Sequence, residues 1–417
     1  MAQSEAIQLN TENIAEYLCR HTNLLNHHDR VDIKELYGGN STLDEEGYVN
    51  FIYRVSQNGK SYIVKQARPY LRSQGIAEVL PAERNYLEYL TLILRSSINK
   101  QFIPDVYHVD TINNVFVMED LYSIDMQLMR FQLSKGKRFP KFAEQISSFM
   151  ACNHFYTSEL FLEKEVFRDL QLKFANVNMR AIMEDVVLLR HPLDKEDSFL
   201  GHTASCIWDD ADLRLELVKI RDLFIRKSEC LIHGDLHTSN IFINEQQLRI
   251  IDMEYSFVAP FSYDLGYLLA NFVSQYAAFT FNSHFTNEKR HVFQQYLLDT
   301  IRNVINGYFA CFKNCFDKGA KKIYLETKGY LDSYLFPTIL YEALGFMAAA
   351  NMMRIINLSP FPDFDVLVDK KERLMAQGLS LSIDEYLLRN RSSITSPELL
   401  IAGILHTQKK YRKRYML

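Results

Sequence analysis

Residues 230–254 read CLIHGDLHTSNIFINEQQLRIIDME, a stretch that alternates polar clusters with short apolar runs. The apolar runs at 241–243 and 248–251 are joined by a polar turn, which predicts a small β-hairpin. A polar cluster stands at each edge of this hairpin, HGDLHTSN at 233–240 and IDME at 251–254. Carboxylates at the ends of buried strands are costly unless a metal ion or a partner neutralises them. The stretch therefore predicts a site where acidic side chains converge.

The residue types in the two clusters suit phosphoryl transfer. That reaction needs a carboxylate that orients an acceptor hydroxyl, and metal ions that neutralise the nucleotide phosphates. Asp235 can supply the carboxylate, and Asn240 can supply an amide oxygen to a metal ion. Asp252 and Glu254 are two residues apart on an extended segment, so both side chains point the same way. Oxygen ligands of this kind favour Mg²⁺, although either motif alone also occurs by chance in long chains.

Toward the N-terminus, two alternating runs predict part of a β-sheet. YVNFIYRV at 48–55 and KSYIVKQA at 60–67 enclose Asn58-Gly59, which is the pattern of a tight hairpin. Lys65 interrupts the apolar side chains of the second run. It is either an edge-strand lysine that faces solvent or a cation that contacts nucleotide phosphates. In the second case, an acidic side chain on the next helix is expected to hold it.

The next helix is predicted from residue 81 to about residue 96. Its apolar face is expected to contain Tyr86, Leu87, Leu90 and Ile93. Glu83 and Glu88 are the candidate partners of Lys65, and we favour Glu88 because it falls among the apolar positions. Glycines before the lysine strand are few, so a phosphate-binding glycine loop has weak support. We assign Gly47 and Asn50 to the nucleotide site.

The composition of the 417 residues indicates a folded protein with two lobes. Apolar residues make up 47% and charged residues 24%, which is the balance of a globular chain. Only 15 Gly and 10 Pro occur, which favours long helices. We predict an α+β, bilobal fold with an antiparallel sheet in the smaller lobe. The nucleotide-binding lobe is expected at 1–120, and a mainly helical catalytic and substrate-binding lobe at 121–417.

Charge and hydropathy argue against several classes of partner. The net charge of −4 provides no basic field for nucleic acid. No apolar stretch reaches the roughly 20 residues that cross a bilayer, and the first residues lack the pattern of a secretion signal. The six cysteines have no repeated spacing and are interpreted as reduced thiols. The sequence predicts a cytoplasmic protein that binds a small molecule, without nucleic acid or membrane partners.

Four stretches carry a resemblance to a known family. HGDLHTSN, the later DME, the strand lysine and VFVMEDL at 115–121 together resemble the aminoglycoside and choline kinase-like superfamily, which shares the protein-kinase fold. Within it, the chain is most similar to the 5-methylthioribose kinases. That narrower likeness rests mainly on IDMEYSFVAPFSYDLGYLLANF at 251–272, with YIVKQARPYLR at 62–72. The likeness runs in order from about residue 30 to residue 380.

The resemblance implies transfer of the ATP γ-phosphate to the anomeric hydroxyl of 5-methylthioribose, a step of methionine salvage. It implies Asp235 as the catalytic base, and Asp252 with Glu254 as ligands of Mg²⁺. Lys65 would contact the phosphates. Backbone groups of the interlobe hinge would contact the adenine, and the hinge residues concerned are Met118, Glu119 and Leu121.

Three features of the chain depart from the family pattern. The family carries two adjacent arginines near the sugar, of which Arg354 matches one, whereas Met353 stands in the other's place. A thioether makes none of the charged hydrogen bonds of an arginine. The loop after the lysine strand lacks the family's tryptophan, and Ser239-Asn240 replaces the usual Gly-Ser. Arg354 and Asp235 are assigned to substrate binding.

These departures leave the acceptor open. Another pentose, a choline-like amine or an aminoglycoside would fit the same chemistry, and acidic residues such as Asp209, Asp210 and Asp212 could suit a cationic acceptor. A catalytically silent nucleotide-binding module is the remaining alternative. The resemblance further implies a homodimer. It also implies that Asp264 braces the catalytic loop, with a helix cap as the alternative.

Overall fold

The structure is a computed structural model that describes residues 7–36, 49–71, 75–184, 209–356 and 362–415. Gly47, which the sequence assigns to the nucleotide site, lies outside the described residues. The side chains at 71–79, which form most of the loop after the lysine strand, are also outside them. Within the described ranges, no helix has the length and apolar character needed to cross a membrane.

A five-stranded antiparallel sheet forms the core of the N-terminal part, with the strand order β1-β2-β3-β7-β6. A second pair of strands, β4 with β5, lies beside the sheet. The first helix, α1, covers one face of the sheet. The bounds are α1 Ile14–His21, β1 Asp32–Leu36, β2 Phe51–Gln57, β3 Lys60–Gln66, β4 Tyr70–Leu71, β5 Gly75–Val79, β6 Val106–Asp110 and β7 Val115–Glu119.

The hairpin of β2 and β3 is confirmed. Asn58 and Gly59 have φ values of 52° and 76°, the left-handed pair that a two-residue turn of this kind requires. Side chains alternate along β3, so Tyr62 and Val64 pack under α1 while Ile63 faces the main core. Lys65 shares the face of Ile63. The period of the strand therefore directs this lysine toward the rest of the protein, and the solvent-facing alternative is wrong because Lys65 is only 3% exposed.

Helix α2, Arg84–Asn99, is confirmed as an element, but its predicted apolar face is wrong. Tyr86 is 40% exposed and Ile93 is 47% exposed. The inward face is largely polar, and it contains Arg84, Asn85, Glu88, Thr91, Leu92, Arg95 and Asn99. The helix turns this face inward because its charged side chains pair with charges from β3 and from the 251–254 segment.

The rest of the chain is mainly helical, as expected for an α+β fold of the kinase type. Two small sheets, β8 with β10 and β11, and β9 with β12, are set among the helices. The bounds are β8 Gln127–Leu128, α3 Met129–Ser134, α4 Phe142–Tyr156, α5 Lys164–Lys173, α6 Val177–Ile182, α7 Ala211–Arg226, β9 Cys230–Leu231, β10 Ile241–Ile243, β11 Leu248–Ile250, β12 Val258–Ala259, α8 Ser262–Phe281, α9 Asn287–Gly319, α10 Lys322–Glu326, α11 Phe336–Ile356, α12 Lys370–Asn390 and α13 Pro397–Arg414.

Helix α8 is the centre of the helical part, because nearly all of its residues are buried. It packs against α9, α11 and α12. The hairpin of β10 and β11 is confirmed, with Ile241 opposite Ile250 and Ile243 opposite Leu248. The loops at the two ends of this hairpin carry the acidic clusters. The division of the chain into lobes at 1–120 and 121–417 stays a prediction.

Candidate active site

The loop that carries Asp235 follows β9 and has a conformation that depends on glycine. Gly234 has a φ of +85°, and a Cβ atom there would lie 2.3 Å from the backbone oxygen of Tyr255. His233, beside it, is fully buried, and its Nδ1 accepts the Asp235 N–H at 3.2 Å. Its Nε2 therefore carries the proton and donates to the Ile251 carbonyl oxygen at 3.0 Å. The loop is thus tied to the segment that holds Asp252.

Asp264 holds this loop in place by hydrogen bonds to its backbone. Its carboxylate accepts the backbone N–H groups of His233, at 2.7 Å, and Gly234, at 3.0 Å. His154 Nε2 lies 3.1 Å from the same carboxylate. Burial raises the pKa of Asp264, but His154, with contributions from His233 and Arg95, outweighs burial and holds that pKa below its usual range. The cap position of α8 is Phe261, so the bracing role, and not the helix cap, describes Asp264.

Asp264→Asn is expected to lower the free energy of unfolding by about 1–3 kcal/mol, because an amide group cannot accept both buried N–H groups. The loop that holds Asp235 should also lose its position, so kcat should fall. Asp212→Asn is the matched control, since Asp212 is an exposed acid in the first turn of α7. Urea unfolding and initial rates measure both effects. If the two variants lost the same small amount of unfolding free energy and of kcat, Asp264 would act only as an acidic residue at a helix N-terminus.

Asp235 lies in a ring of hydrogen-bond donors. One oxygen, Oδ1, accepts from the Tyr267 hydroxyl at 2.8 Å and from Arg354 Nη2 at 3.2 Å. The other, Oδ2, lies 3.2 Å from His237 Nε2 and 3.4 Å from Asn240 Nδ2. Burial raises the pKa of Asp235, but His237 and Arg354 outweigh it and hold the pKa of this carboxyl well below its usual range. Asp235 is therefore ionised at neutral pH and held in one orientation.

Lys65 joins β3 to both α2 and the acidic segment. Its Nζ atom lies 2.7 Å from Glu88 Oε2, and it also forms an ion pair with Asp252. Burial by itself lowers the pKa of Lys65, but the nearby carboxylates, Asp252 first, outweigh burial and raise that pKa. Burial raises the pKa of Glu88, which the Lys65 ammonium opposes. The structure thus brings Lys65, Glu88 and Asp252 together.

Asp252 and Glu254 face the same region but differ in exposure and in backbone conformation. Asp252 has a φ of 63°, and its side chain is 31% exposed. Glu254 is fully buried, and its Oε2 accepts from Asn50 Nδ2 at 2.9 Å and lies 3.2 Å from Arg84 Nε. Oε1 of Glu254 has no hydrogen-bond partner among the described residues. Burial raises the pKa of Glu254, while Lys65 and Arg84 oppose the rise.

The donor set around these acids suits a hard divalent cation. Asp252 is partly open, Glu254 has one unpartnered buried oxygen, and Asn240 adds an amide. All three offer oxygen, the ligand type that Mg²⁺ takes. Within the described ranges, no group of three or more His, Cys, Asp or Glu side chains forms a metal cluster. The predicted set, with two acids and one amide, therefore fits the ion without completing its coordination.

The hinge residues span the end of β7: Met118 and Glu119 are its last two residues, and Leu121 lies beyond it. The Glu119 N–H donates to the Asp105 carbonyl oxygen at 2.8 Å, and the Leu121 carbonyl oxygen accepts from Met126 N–H at 3.1 Å. Leu121 begins a short 3-10 helix, so its own N–H has no partner within that turn. Met118 and Leu121 are buried. Contact between this segment and adenine stays a prediction.

Sequence reasoning missed three residues of the site. Arg84 pairs with Glu254, and Tyr267 and His237 bind Asp235. Signals for two of them exist in the sequence: Arg84 precedes Glu88 by one helical turn, and Tyr267 follows Asp264 by nearly one turn. Asn50 is at the site, but its amide binds Glu254 and Arg84 in this structure. Met353 is buried beside Arg354 and is 5% exposed.

Comparison with known proteins gives a consistent result. The model of the phosphotransferase enzyme family matches residues 178–288, which include the Asp235 loop and the Asp252 segment. A methylthioribose kinase of Bacillus pumilus is 28% identical over 86% of this chain and 88% of its own. Methylthioribose kinase 2 of Oryza sativa subsp. japonica is 26% identical over 90% of both chains. A methylthioribose kinase of Geobacillus sp. is 30% identical over 84% of this chain and 86% of its own, and the chain therefore belongs to the methylthioribose kinase family.

Proposed function

We propose that this protein transfers the γ-phosphate of ATP to the anomeric hydroxyl of 5-methylthioribose. The observation that carries the proposal is the setting of Asp235, an ionised carboxylate fixed by donors on both oxygens. Asn240 Nδ2 donates to the backbone carbonyl oxygen of Asp235, and the backbone carbonyl oxygen of Asn240 accepts the N–H of Ile251, next to Asp252. An acceptor-orienting acid and a phosphate-binding cluster are thus neighbours. Family membership supports the same reaction.

The protein is an ATP-dependent kinase, as its family membership indicates. We place the phosphates of ATP near Lys65, the only lysine of the buried cluster described above. Glu88 would keep the Lys65 side chain in place. The phosphates would replace Asp252 as the second group that pairs with the Lys65 ammonium. The Leu121 N–H would contact the adenine. This arrangement would hold the nucleotide from two sides and bring its γ-phosphate toward Asp235.

Mg²⁺ is the metal ion that we propose for this site. Asp252, Glu254 through Oε1, and Asn240 would hold it, since these are the oxygen donors that the site offers. When bound, the ion would neutralise charge on the phosphate oxygens. Removing the ion should therefore weaken the binding of ATP more than the binding of the acceptor.

Asp235 acts mainly by orientation. Because its pKa is depressed, it is a weak base, and its carboxylate accepts a hydrogen bond from the acceptor hydroxyl without removing the proton early. Tyr267 fixes the carboxylate, and Arg354 donates to the Tyr267 hydroxyl as well as to Asp235. A carboxylate held in this way would orient the attacking oxygen for in-line transfer. Positioning and charge neutralisation account for most of the catalysis.

The electrostatics at Asp235 favour a sugar over a cationic acceptor. The Arg354 guanidinium lies 3.2 Å from Asp235, so an ammonium group beside it would meet like charge. Of the acidic residues that could have served a cation, Asp210 is used elsewhere, because it caps α7 and pairs with Arg389. A neutral thiosugar is not repelled by the Arg354 guanidinium and does not need an acidic partner.

A panel of acceptors tests this proposal directly. In an assay that couples ADP release to a chromogenic reaction, 5-methylthioribose should give the highest kcat/KM. Ribose, choline and an aminoglycoside should fall at least about 10²-fold lower, because each loses a contact or adds a like charge. Higher kcat/KM with choline or an aminoglycoside would contradict the proposal. ATP binding without transfer to any acceptor would support the silent nucleotide-binding module instead.

We also propose that the protein is a cytoplasmic homodimer. The homodimer rests on the family resemblance alone, and the location rests on the composition and on the free thiols of the five described cysteines. Light scattering coupled to gel filtration gives the mass that decides between monomer and dimer. A mass near that of one chain would contradict the dimer.

A further inference from the structure

Arg84 is a buried arginine at the first position of α2, only 3% exposed. Its Nη1 donates to three carbonyl oxygens in the connection between β3 and α2, those of Arg68 at 3.0 Å, Leu80 at 3.1 Å and Pro81 at 2.9 Å. One side of the guanidinium therefore holds together the segment that links the lysine strand to the helix of Glu88.

The other side of Arg84 faces the acidic segment. Nη2 donates to Asn50 Oδ1 at 2.9 Å, and Nε lies 3.2 Å from Glu254 Oε2. Asn50 Nδ2 donates to the same Glu254 oxygen at 2.9 Å. Arg84, Asn50 and Glu254 thus form a closed triangle of polar contacts.

The triangle treats the two oxygens of Glu254 differently. Oε2 accepts a hydrogen bond from Asn50 and forms an ion pair with Arg84, while Oε1 is buried and has no hydrogen-bond partner in the part of the chain that the structure describes. A carboxylate held in this way cannot rotate freely, so Oε1 keeps one direction. Groups that orient a metal ligand in this manner commonly set the affinity of the metal site.

The arrangement repeats the one around Lys65. Each acid of the Asp-Met-Glu segment forms an ion pair with a cation from the N-terminal part of the chain: Lys65 with Asp252, and Arg84 with Glu254. Burying a guanidinium costs free energy that an apolar residue at the same position would not cost. The three carbonyl contacts account for one side of the guanidinium, and the pairing with Glu254 accounts for the other.

We propose that Arg84 is a positioning residue of the metal site: its ion pair with Glu254 Oε2, together with the hydrogen bond from Asn50, would leave Oε1 free to hold the metal ion. Through Asn50 and the β3–α2 connection, Arg84 also links the geometry of Glu254 to the segments next to the nucleotide. The proposal rests on the proposed function in one respect, the assignment of Glu254 to Mg²⁺. Arg84 itself contacts neither the ion nor the nucleotide.

The test measures the binding of a non-hydrolysable ATP analogue by calorimetry, with and without Mg²⁺, in Arg84→Met and Arg84→Lys. We expect Arg84→Met to lose about 10- to 100-fold of the affinity that Mg²⁺ adds. The metal-free Kd should change less than about threefold, because Lys65 is intact. Arg84→Lys keeps the charge, but its single ammonium group cannot make the contacts of Nη1, Nη2 and Nε at once. It should therefore recover only part of the lost Mg²⁺-dependent affinity.

Arg95→Met is the matched control. Arg95 is a second buried arginine of α2, 1% exposed, which donates to the Leu231 carbonyl oxygen at 3.3 Å and lies over the Phe149 ring. It should lose stability as Arg84→Met does, but keep the Mg²⁺ effect. Asn50→Ala provides a second variant if Arg84→Met does not fold, since it frees the same Glu254 oxygen and should show a smaller loss of the same kind.

The outcomes separate the two proposals. A normal Mg²⁺ effect in both the Arg84 and the Asn50 variants would overturn the role of Arg84. An equal loss in Arg95→Met would overturn it as well, since the effect would then come from a loosened α2. If Mg²⁺ adds no affinity in the unmodified protein, the metal assignment of the proposed function fails, whatever the variants do.

Discussion

Asp235→Asn is expected to lower kcat by about 10²- to 10⁴-fold, while the Kd for the ATP–Mg²⁺ complex changes little. The substitution keeps the shape of the side chain but removes the charge that orients the acceptor hydroxyl. An amide also presents an NH2 group to either Tyr267 or His237, so the acceptor-binding oxygen is no longer fixed. The nucleotide contacts through Lys65 are on other residues and should remain.

Initial rates with saturating 5-methylthioribose, and calorimetry with an ATP analogue, measure the two quantities separately. Tyr267→Phe is a second variant for which a smaller effect is expected. It removes one donor to Asp235 Oδ1 but leaves the carboxylate and the other donors. Its kcat should fall less than that of Asp235→Asn. If Asp235→Asn turned over at the rate of the unmodified protein, Asp235 would not be the orienting acid, and the proposed mechanism would be wrong.

The sequence predicted local features of the fold well. The Asn58-Gly59 turn and the 241–250 hairpin depend on short-range patterns, and both are present. Glu88 is preferred to Glu83 as the partner of Lys65 because it falls among the apolar positions of the helix, and the 2.7 Å contact confirms the pair. The two turns are decided by residues that lie close in sequence, whereas the Lys65–Glu88 pair joins β3 to the helix that follows it in the chain.

The features that the sequence did not predict come from long-range contacts. Hydrophobic periodicity assigned the wrong face of α2, because the buried face pairs Glu88 and Arg84 with distant charges and so tolerates polar residues. Arg84 and Glu254 are 170 residues apart in the chain, a separation that no local pattern reveals. Arg354 reached the site through the family resemblance alone, and its contact with Asp235 spans 119 positions. Periodicity is therefore least reliable where a helix lines an ionic site.

Asp252→Asn is expected to abolish most of the affinity that Mg²⁺ adds to nucleotide binding and to lower kcat by about 10²- to 10³-fold. Asp252 contributes a partly exposed carboxylate, and its loss removes one negative ligand of the proposed ion. Lys65 should stay in place, since Glu88 still lies 2.7 Å from its Nζ atom. The variant should therefore fold and bind metal-free nucleotide.

Asparagine is the better substitution here because Asp252 has a φ of 63°, a conformation that asparagine adopts more readily than alanine. Asp125→Asn is the matched control: Asp125 also has a positive φ, 59°, and is an exposed residue. It should leave the Mg²⁺ effect and kcat unchanged. Calorimetry with an ATP analogue across a series of Mg²⁺ concentrations gives the result. Unchanged affinity for the nucleotide–metal complex in Asp252→Asn would mean that Asp252 serves only as a partner for Lys65, and the metal would then have to be held by other residues.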